Sequence, residues 1–268
     1  MLMFKQYINL FSMDFNLIKK FKNKLEDNTF GIFSKTTDSS IIEILGHSGL
    51  DFVILDTEHG FNSYGTLKNH IRAAELTGMV PIIRVSENNE ESIGKALDIG
   101  AYGIQVPNIN SKEQVEQVIK AAKFYPIGDR GVCKYVRAAE FTNIEKKDFF
   151  QVANDTLIII QVEGKEGVRN IDDILNVKGI DILFIGPYDL SQSLGVPGEI
   201  MHDKVLKAMN VIINKAKLND VKIGVFCDDI ETAMMWKKEG VNYISYSVDY
   251  GIIISECKNL IKKFTNLS

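Results

Sequence analysis

Arginine is scarce in this sequence. Only five of its 31 basic residues are arginines, and they are Arg72, Arg84, Arg130, Arg137 and Arg169. The formal net charge is −4 and the isoelectric point is about 5.7. Proteins that bind nucleic acid or an anionic membrane surface typically carry a basic patch, so this balance argues against both kinds of partner. Each of the few arginines is therefore a candidate for a specific role.

Cysteine and long apolar runs are also lacking. The three cysteines are far apart and odd in number, which favours a reduced, cytoplasmic protein. No stretch reaches the ~18 apolar residues of a membrane helix, so no membrane association is expected. The first residues, MLMFKQYINLFSM, lack the charged region, apolar core and cleavage site of a signal peptide. We interpret 1–13 as an extension or upstream start and 14–268 as one domain.

What the sequence does contain is a regular alternation of strand-like and helix-like stretches. Eight apolar runs predict strands, centred near Ile32, Ile54, Ile83, Ile104, Ile159, Phe184, Gly224 and Ile244. Segments with helical spacing separate them, and one of these ends on Gly78, a helix-terminating signal. Strict alternation indicates a parallel sheet, and the length is close to the roughly 250 residues typical of an eightfold barrel. The predicted fold class is therefore α/β, as a single (β/α)8 TIM barrel.

Residues suited to catalysis follow four of these runs. They are His59 in VILDTEH, Arg84 in PIIRV, Glu163 in IIIQVE and Asp189 in ILFIGPYDLS. The carboxyl ends of barrel strands converge on one mouth, where active sites lie. A longer insertion, roughly 125–155, is expected to form a functional loop at the same mouth.

Glu163 and Asp189 suit a hard divalent cation such as Mg²⁺ or Mn²⁺, because such ions take oxygen ligands. The alternatives are that Glu163 pairs with Lys165 or Arg169, and that Asp189 caps a helix beginning at Leu190.

Arg84 is suited to grip a carboxylate or an enolate oxygen through its planar fork, and the alternative is an ion pair with Glu58 or Glu87. His59 is suited to general acid–base chemistry, with Asp98 in the helix after the third strand to orient it. The alternative for His59 is a simple hydrogen bond in a loop.

Two other barrel chemistries are disfavoured. A Schiff-base aldolase needs a lysine inside the barrel, and the central strands contain none; Lys35 is the single lysine placed to serve, whereas Lys222 enters its strand at the wrong end. Phosphate-binding barrels place their site after strands seven and eight. Here those loops read FCDD and SVDYG, which are acidic and poor in glycine.

The motifs D-x-E-H, R-V, Q-x-E-x-x-x-G and G-P-x-D-L-S occur in order in ILDTEHG, PIIRVSENNEESIGKALDIGAYGIQVP, IIIQVEGKEGVRNIDDI and FIGPYDLSQSLGVPG. On these motifs the chain resembles the HpcH/HpaI aldolase family from about residue 16 to the last helix. The resemblance implies a class II pyruvate aldolase, a carbon–carbon lyase. It would cleave or form a 4-hydroxy-2-oxo acid, giving pyruvate and an aldehyde, through a metal-stabilised pyruvate enolate.

The same resemblance implies roles for individual residues. Glu163 and Asp189 would bind the metal (Mg²⁺ or Mn²⁺, with Co²⁺ a further option), and Arg84 would stabilise the enolate. His59 and Asp98 would move the proton. The implied substrate-binding residues are Arg84, Gln161, Gly186, Pro187 and Asp189. The implied assembly is a homohexamer, a trimer of dimers that exchange a C-terminal helix.

Three segments depart from the family pattern: FSKTTD after the first strand, CKYVRAAEF in the insertion, and Tyr188 beside Asp189. We expect all three to lie around the aldehyde, so the acceptor is left open. Two alternative functions also stay open. One is a CoA-ester lyase of the citrate lyase β or malyl-CoA type, and the other is a barrel that binds a keto acid without turnover.

Overall fold

The computed structural model describes residues 15–266, and the side chains of all these except Phe15, Lys146, Lys147 and Asn266. The predicted division at Met13 lies outside the described residues. Eight parallel strands close into a barrel in chain order. The strands are β1 (Thr29–Ser34), β2 (Phe52–Asp56), β3 (Val80–Arg84), β4 (Gly103–Val106), β5 (Leu157–Val162), β6 (Ile182–Ile185), β7 (Lys222–Cys227) and β8 (Tyr243–Val248). The predicted TIM barrel is thus confirmed.

Helices surround the barrel. They are α1 (Phe15–Lys24), α2 (Ser39–His47), α3 (Tyr64–Thr77), α4 (Glu90–Asp98), α5 (Lys112–Ala122), α6 (Lys146–Ala153), α7 (Lys165–Arg169), α8 (Ile171–Leu175), α9 (Pro187–Ser193), α10 (Asp203–Leu218), α11 (Ile230–Lys238) and α12 (Asp249–Asn266), with a 3₁₀ helix at Arg137–Thr142. None of the described helices is long and apolar enough to cross a membrane.

Helix α3 shows how local sequence sets the element boundaries. The Ser63 hydroxyl accepts a hydrogen bond from the backbone N–H of Thr66 at 3.2 Å, which satisfies one of the unpaired donors at a helix start. The helix ends at Gly78, whose φ of +75° lies in the left-handed region that glycine adopts without steric cost. The predicted end signal at Gly78 is confirmed.

One end of the barrel is closed. Helix α1, which was not predicted, inserts Ile18, Phe21 and Leu25 into the apolar interior of the strands. The ring of Phe21 packs edge-on against Phe52 and Tyr243, with centroid separations of 6.0 and 6.4 Å. Because α1 precedes β1, this plug lies at the amino-terminal ends of the strands. A cavity therefore remains at the opposite, carboxyl end.

The insertion at 125–155 is not at the mouth, so that prediction is wrong. It follows helix α5 rather than a strand, and helices return the chain to the amino-terminal ends of the strands. Its 3₁₀ helix and α6 pack through a small cluster containing Phe124, Ala138 and Phe149. No residue of the insertion lines the cavity at the carboxyl end within the part of the chain that is described.

Candidate active site

The open end of the barrel holds a cavity of about 290 Å³. Its walls come from most of the strands and the loops that follow them, and they are Phe33, Lys35, Asp56, His59, Arg84, Gln161, Glu163, Phe184, Gly186, Pro187, Tyr188, Asp189, Phe226, Asp228 and Val248. Seven of the eight predicted site residues lie in this wall. The eighth, Asp98, does not.

Arg84 is held at the ends of neighbouring strands. Its Nε and Nη2 donate to the two oxygens of Asp56 at 2.9 and 2.8 Å, and its Nη1 lies 2.8 Å from Glu58 Oε2. The guanidinium carbon lies 4.7 Å from the ring centre of Phe33. The alternative of an ion pair is thus correct for Glu58 but not for Glu87, and Asp56 is the main partner. Two of the five N–H donors make hydrogen bonds, both to Asp56, and the contact with Glu58 is an ion pair, so N–H donors remain for a bound oxygen.

Asp56 is fully buried and was not predicted as a site residue. Burial alone would raise the pKa of its carboxyl. Hydrogen bonds and charge from Arg84, with the backbone N–H of His59 and the charge of Lys35, hold the pKa below its usual value instead. Asp56 is therefore an anion at neutral pH, and it fixes the orientation of Arg84.

His59 lies at the rim of the cavity. The turn that carries it wraps around Asp56, whose Oδ1 accepts the backbone N–H groups of Glu58 at 3.0 Å and of His59 at 3.3 Å. The His59 side chain is 60% exposed, and its Nε2 lies 4.0 Å from Glu58 Oε2. Burial raises the pKa of Glu58. An exposed imidazole beside a carboxylate can exchange protons with both the cavity and solvent.

Glu163 follows β5 and is held by a chain of hydrogen bonds. Its Oε1 accepts the backbone N–H of Asn108 at 2.8 Å, and Asn108 has a φ of +59°, a region asparagine tolerates. Its Oε2 accepts from Gln161 Nε2 at 2.5 Å, and Gln161 Oε1 accepts from Gln105 Nε2 at 2.5 Å. The amide of Gln161 is thus oriented with its N–H towards the carboxylate.

The alternatives for Glu163 are wrong. Arg169 pairs with Glu166 at 2.7 Å instead, and Lys165 is an exposed residue at the start of α7. Burial raises the pKa of Glu163 to about 7, and the charges of Asp189 and Glu58 add to the effect.

Gly186 has no side chain, and the Glu163 carboxylate occupies the space beside it. A Cβ at position 186 would lie 2.5 Å from Glu163 Oε2, so a larger residue would displace the carboxylate.

Asp189 completes the acidic side of the cavity. The alternative that it caps a helix beginning at Leu190 is wrong, because α9 begins at Pro187 after Gly186, with no side-chain cap. Asp189 is exposed in the first turn of α9.

Glu163 and Asp189 fit a divalent cation. Burial and two neighbouring anions disfavour the charge on Glu163, and a bound cation would offset both effects. Among the described side chains, no group of three or more His, Cys, Asp or Glu could hold a metal ion. The chain would thus supply two oxygens and leave the other positions to water and substrate, as Mg²⁺ sites commonly do.

Asp98 does not meet His59 within the chain. It ends helix α4 and so lies towards the amino-terminal ends of the strands, whereas His59 follows β2 at the opposite end. Its carboxylate accepts a hydrogen bond from Arg130 Nη2 at 2.7 Å. The Arg130 guanidinium also lies 4.8 Å from the ring centre of Phe124, the residue before the insertion. The predicted His59–Asp98 pair therefore cannot form between groups of one chain.

Three residues that shape this site were not predicted from the sequence: Asp56, Gln105 and Asn108. Lys35 was considered only as a Schiff-base lysine, and its position in the cavity wall was not predicted. Asp56 had a readable signal, because it is the first residue of the D-x-E-H motif and ends a strand. Gln105 and Asn108 had a weaker one, since both flank the end of β4, next to β5 in the barrel.

Comparison with known proteins assigns the family. A sequence profile described as HpcH/HpaI aldolase/citrate lyase matches residues 29–255. A 5-keto-4-deoxy-D-glucarate aldolase from Shigella boydii is 31% identical over 235 residues, which cover 87% of this chain and 91% of that protein.

Solved structures agree. A family protein from Burkholderia cenocepacia J2315 has a TM-score of 0.87 and 28% identity, covering 92% of this chain and 99% of that one. The citrate synthase SbnG has a TM-score of 0.83 and 32% identity, covering 93% and 97%. The chain therefore belongs to the HpcH/HpaI aldolase/citrate lyase family and is a carbon–carbon lyase of the aldolase type.

Proposed function

We propose that the chain cleaves, and in reverse forms, a 4-hydroxy-2-oxo acid, giving pyruvate and an aldehyde, with Mg²⁺ or Mn²⁺ bound by Glu163 and Asp189. The observation that carries this proposal is that one cavity contains both a hydrogen-bond donor for an enolate oxygen and a carboxylate suited to bind a cation. A fixed guanidinium with free donors, Arg84, faces the same space as a buried carboxylate of raised pKa, Glu163. An enolate needs both a cation and directed hydrogen bonds, and these residues supply them.

Arg84 would stabilise the negative charge that develops on the keto oxygen. Its position is set by Asp56 and Glu58 before substrate binds, so little reorganisation is needed during the reaction. One preorganised contact of this kind is typically worth about 3 kcal/mol of barrier height.

The cation would act as a Lewis acid on the keto acid. Around it, Gln161 would hold Glu163 in place through its Nε2, and Gly186 and Pro187 would form the wall against which the small keto acid packs.

His59 would carry the proton. In cleavage, His59 accepts the proton of the C4 hydroxyl, and the C3–C4 bond breaks. C4 becomes the carbonyl carbon of the aldehyde, and the electrons of the broken bond form the enolate of pyruvate. The enolate then takes a proton at C3 to become the methyl group of pyruvate. The rim position and 60% exposure of His59 suit a group that must return its proton to solvent.

Asp98 has a place in this scheme only if the chain assembles. It lies at the opposite end of the barrel, so it can orient only the His59 of another copy. Helix α12 supports assembly, because it carries a row of exposed apolar side chains: Ile253, Ile254, Leu260, Ile261 and Phe264. We propose a homo-oligomer, with a hexamer of helix-exchanging dimers as the expected form.

A CoA-ester reaction is the second candidate. It is favoured by the 32% identity to a citrate synthase, a name that denotes carbon–carbon bond formation rather than cleavage. An enolate is required in either case, so Arg84, Glu163 and Asp189 would keep their roles.

Proton exchange in D₂O tests the proposal without knowledge of the aldehyde. The protein is incubated with pyruvate and Mg²⁺, and the methyl signal is followed by NMR before and after addition of a chelator. Loss of the signal that stops with the chelator is the expected result. No exchange with Mg²⁺, Mn²⁺ or Co²⁺ would overturn the pyruvate assignment and favour the thioester.

Two variants sharpen this test. Asp189→Asn and Arg84→Ala should each slow exchange by about 100-fold, the typical effect of losing one such contact. Asp173→Asn on the exposed face of α8 makes the same change of charge as Asp189→Asn away from the cavity and serves as its control, and Arg169→Ala on the surface serves as the control for Arg84→Ala. A change of less than threefold in Arg84→Ala would remove Arg84 from the mechanism.

A further inference from the structure

The interior of the barrel beneath the cavity is built from layers of side chains that come from alternate strands. Because the strands are tilted, a horizontal layer advances by roughly one residue per strand along the register. The layer that forms the floor of the cavity consists of Phe33, Arg84, Gln161 and Phe226. The next layer down, called the lower layer below, consists of Ile54, Gln105, Phe184 and Ser245.

Two members of the lower layer are polar. Gln105 on β4 and Ser245 on β8 lie on opposite sides of the closed barrel, and both are 0% exposed. Within the described part of the chain, Gln105 Oε1 and Ser245 Oγ are buried without a hydrogen-bond partner. Buried polar atoms in folded proteins nearly always bond to protein or to ordered water, because leaving them unpaired is costly. The two face each other across one layer, so a single small molecule can serve both.

The amide of Gln105 cannot solve this problem by turning over. Gln105 Nε2 donates to Gln161 Oε1 at 2.5 Å, and Gln161 Nε2 donates to Glu163 Oε2 at 2.5 Å. Turning both amides would aim the Gln161 oxygen at the Glu163 carboxylate, and turning Gln105 alone would aim its oxygen at the Gln161 oxygen. An acceptor would then face an acceptor in either case. The carboxylate thus fixes both amides, and Gln105 Oε1 is left to accept from elsewhere.

The surroundings of Ser245 suit a water molecule. Barrel layers are usually filled by bulky Val, Ile and Leu, and Ser245 is much smaller than these. The register of β8 with β1 shifts just after Ser245, since Ser245 pairs with Gly31 but Val248 pairs with Phe33. Such a bulge disrupts the ladder locally. Tyr243, two positions earlier on the same face of β8, adds a buried hydroxyl without a partner in the described chain, so this side of the interior is polar.

We propose that a water molecule binds between Ser245 and Gln105 beneath the candidate metal site, and that Ser245 is thereby a positioning residue for Glu163. The water donates to Gln105 Oε1 and bonds to the Ser245 hydroxyl. Gln105 then keeps its Nε2 on Gln161, which keeps its own Nε2 on Glu163. The effect on Glu163 as a metal ligand rests on the proposed function, whereas the water site does not.

A crystal structure of the metal-free protein tests the water site directly. Density for a water within about 3.2 Å of both Ser245 Oγ and Gln105 Oε1 is the expected result. Ser245→Val, which removes the hydroxyl, should lack this density. A lower layer without water in the wild type would overturn the proposal.

The positioning role is tested with two variants of the same shape. Ser245→Thr keeps the hydroxyl and Ser245→Val replaces it with a methyl group, so the pair separates hydrogen bonding from packing. Outer hydrogen-bond partners of a metal ligand typically contribute 10- to 100-fold in affinity, and Ser245 acts at a further remove. By calorimetry, Ser245→Val should weaken Mn²⁺ binding about threefold to tenfold, and Ser245→Thr should stay within about twofold of the wild type. Equal losses in the two variants would exclude the hydroxyl.

A double variant tests whether Ser245 acts through Gln105. Groups in one hydrogen-bond chain are not additive, so Ser245→Val combined with Gln105→Met should bind Mn²⁺ as Gln105→Met alone does. Losses that multiply would contradict the chain.

Thr29→Val is the control for loss of a buried hydroxyl. Thr29 Oγ1 donates to the carbonyl of Asn242 at 3.0 Å, and Thr29 begins β1 at the end of the barrel away from the cavity. Thr29→Val should therefore leave Mn²⁺ affinity unchanged. A loss equal to that of Ser245→Val would show that any buried hydroxyl of the barrel has the same effect, and it would overturn the positioning role.

Failure of this inference can be told from failure of the proposed function. Exchange of pyruvate protons by the wild type in D₂O is measured alongside the crystal structure. No exchange with a water in the lower layer removes the proposed function and keeps the water site. Normal exchange with a dry lower layer removes the water and the role of Ser245 only.

Discussion

Asp56 and Arg84 are register partners at the ends of β2 and β3, and their side chains form a bidentate ion pair below the mouth of the barrel. Both are buried, with exposed fractions of 0% and 7%. Such a pair is costly to break from one side, because the remaining charge stays buried.

Asp56→Asn should therefore destabilise the protein by about 3 kcal/mol, as measured by urea denaturation. The same variant should raise the KM for pyruvate, because Arg84 is no longer held towards the cavity. Asp173→Asn, on the surface of α8, should change stability by less than about 0.5 kcal/mol. Equal stabilities of the two variants would show that Glu58 alone suffices to hold Arg84.

Gln105 is predicted to affect metal binding without touching the metal. Gln105→Met removes the donor that fixes the amide of Gln161, so the oxygen of Gln161 can turn towards Glu163 and repel it. Outer hydrogen-bond partners of metal ligands typically contribute 10- to 100-fold in affinity, and we expect at least a tenfold loss for Mn²⁺ by calorimetry. Gln117→Met, on the exposed side of α5, is the control. Unaltered affinity in Gln105→Met would mean that Glu163 is positioned by Asn108 alone.

His70 should make stability depend on pH. It is fully buried, and burial lowers its pKa below the usual 6.5. Its Nε2 lies 2.9 Å from the carbonyl of Thr36 and so donates, which leaves Nδ1 to accept from the Ser39 hydroxyl at 3.1 Å. The unfolded chain binds the proton more readily than the folded one. The contribution of His70 is therefore present above pH 6.5 and lost as the pH falls towards the folded value.

Urea midpoints between pH 7.5 and 5 measure this effect. The wild type should lose stability over that range more steeply than His70→Gln. His47→Gln, on the exposed side of α2, should follow the wild type. Parallel slopes for all three proteins would contradict the buried, neutral state of His70.

Helix α12 should be an assembly element. Leu260→Glu combined with Phe264→Glu places charges on side chains that are 55% and 80% exposed in the single chain and that a partner copy would bury. The mass by light scattering should fall to that of a smaller species. Lys258→Glu changes the charge of the same helix at an exposed polar position and should leave the mass unchanged. An unchanged mass in the double variant would exclude these side chains from the interface.

The barrel fold could be predicted from the sequence because its strands and helix ends are marked by local sequence patterns. Each strand is a short apolar run, and glycine marks a helix end at position 78, so element type and order follow from neighbours in the chain. The insertion follows helix α5 and Asp98 ends helix α4, so the same connectivity places both away from the mouth. The prediction put the insertion at the mouth because of its length, and Asp98 there because a carboxylate could orient His59.

The sequence predicted which residues lie in the candidate site, but not which residues they contact there. Strand ends identified Arg84 and Glu163, yet nothing in the sequence shows that Arg84 lies against Asp56 and not Glu87. That choice depends on register between strands 28 residues apart. The hydrogen bonds that connect Gln105 to Glu163 through Gln161 likewise join two strands, so the sequence alone does not predict them.

The carboxylate of Asp249 joins loops whose residues lie 215 positions apart, at Ser34 and at the start of α12. A ribosome adding about 5–20 residues per second needs roughly 10–40 s to synthesise that interval. During this time the segment carrying Lys35 can contact His70 through Thr36, but it lacks the hydrogen bonds to Asp249. These hydrogen bonds at the mouth can thus form only after the start of α12 has been synthesised, when the nascent chain already carries His59, Arg84, Glu163 and Asp189.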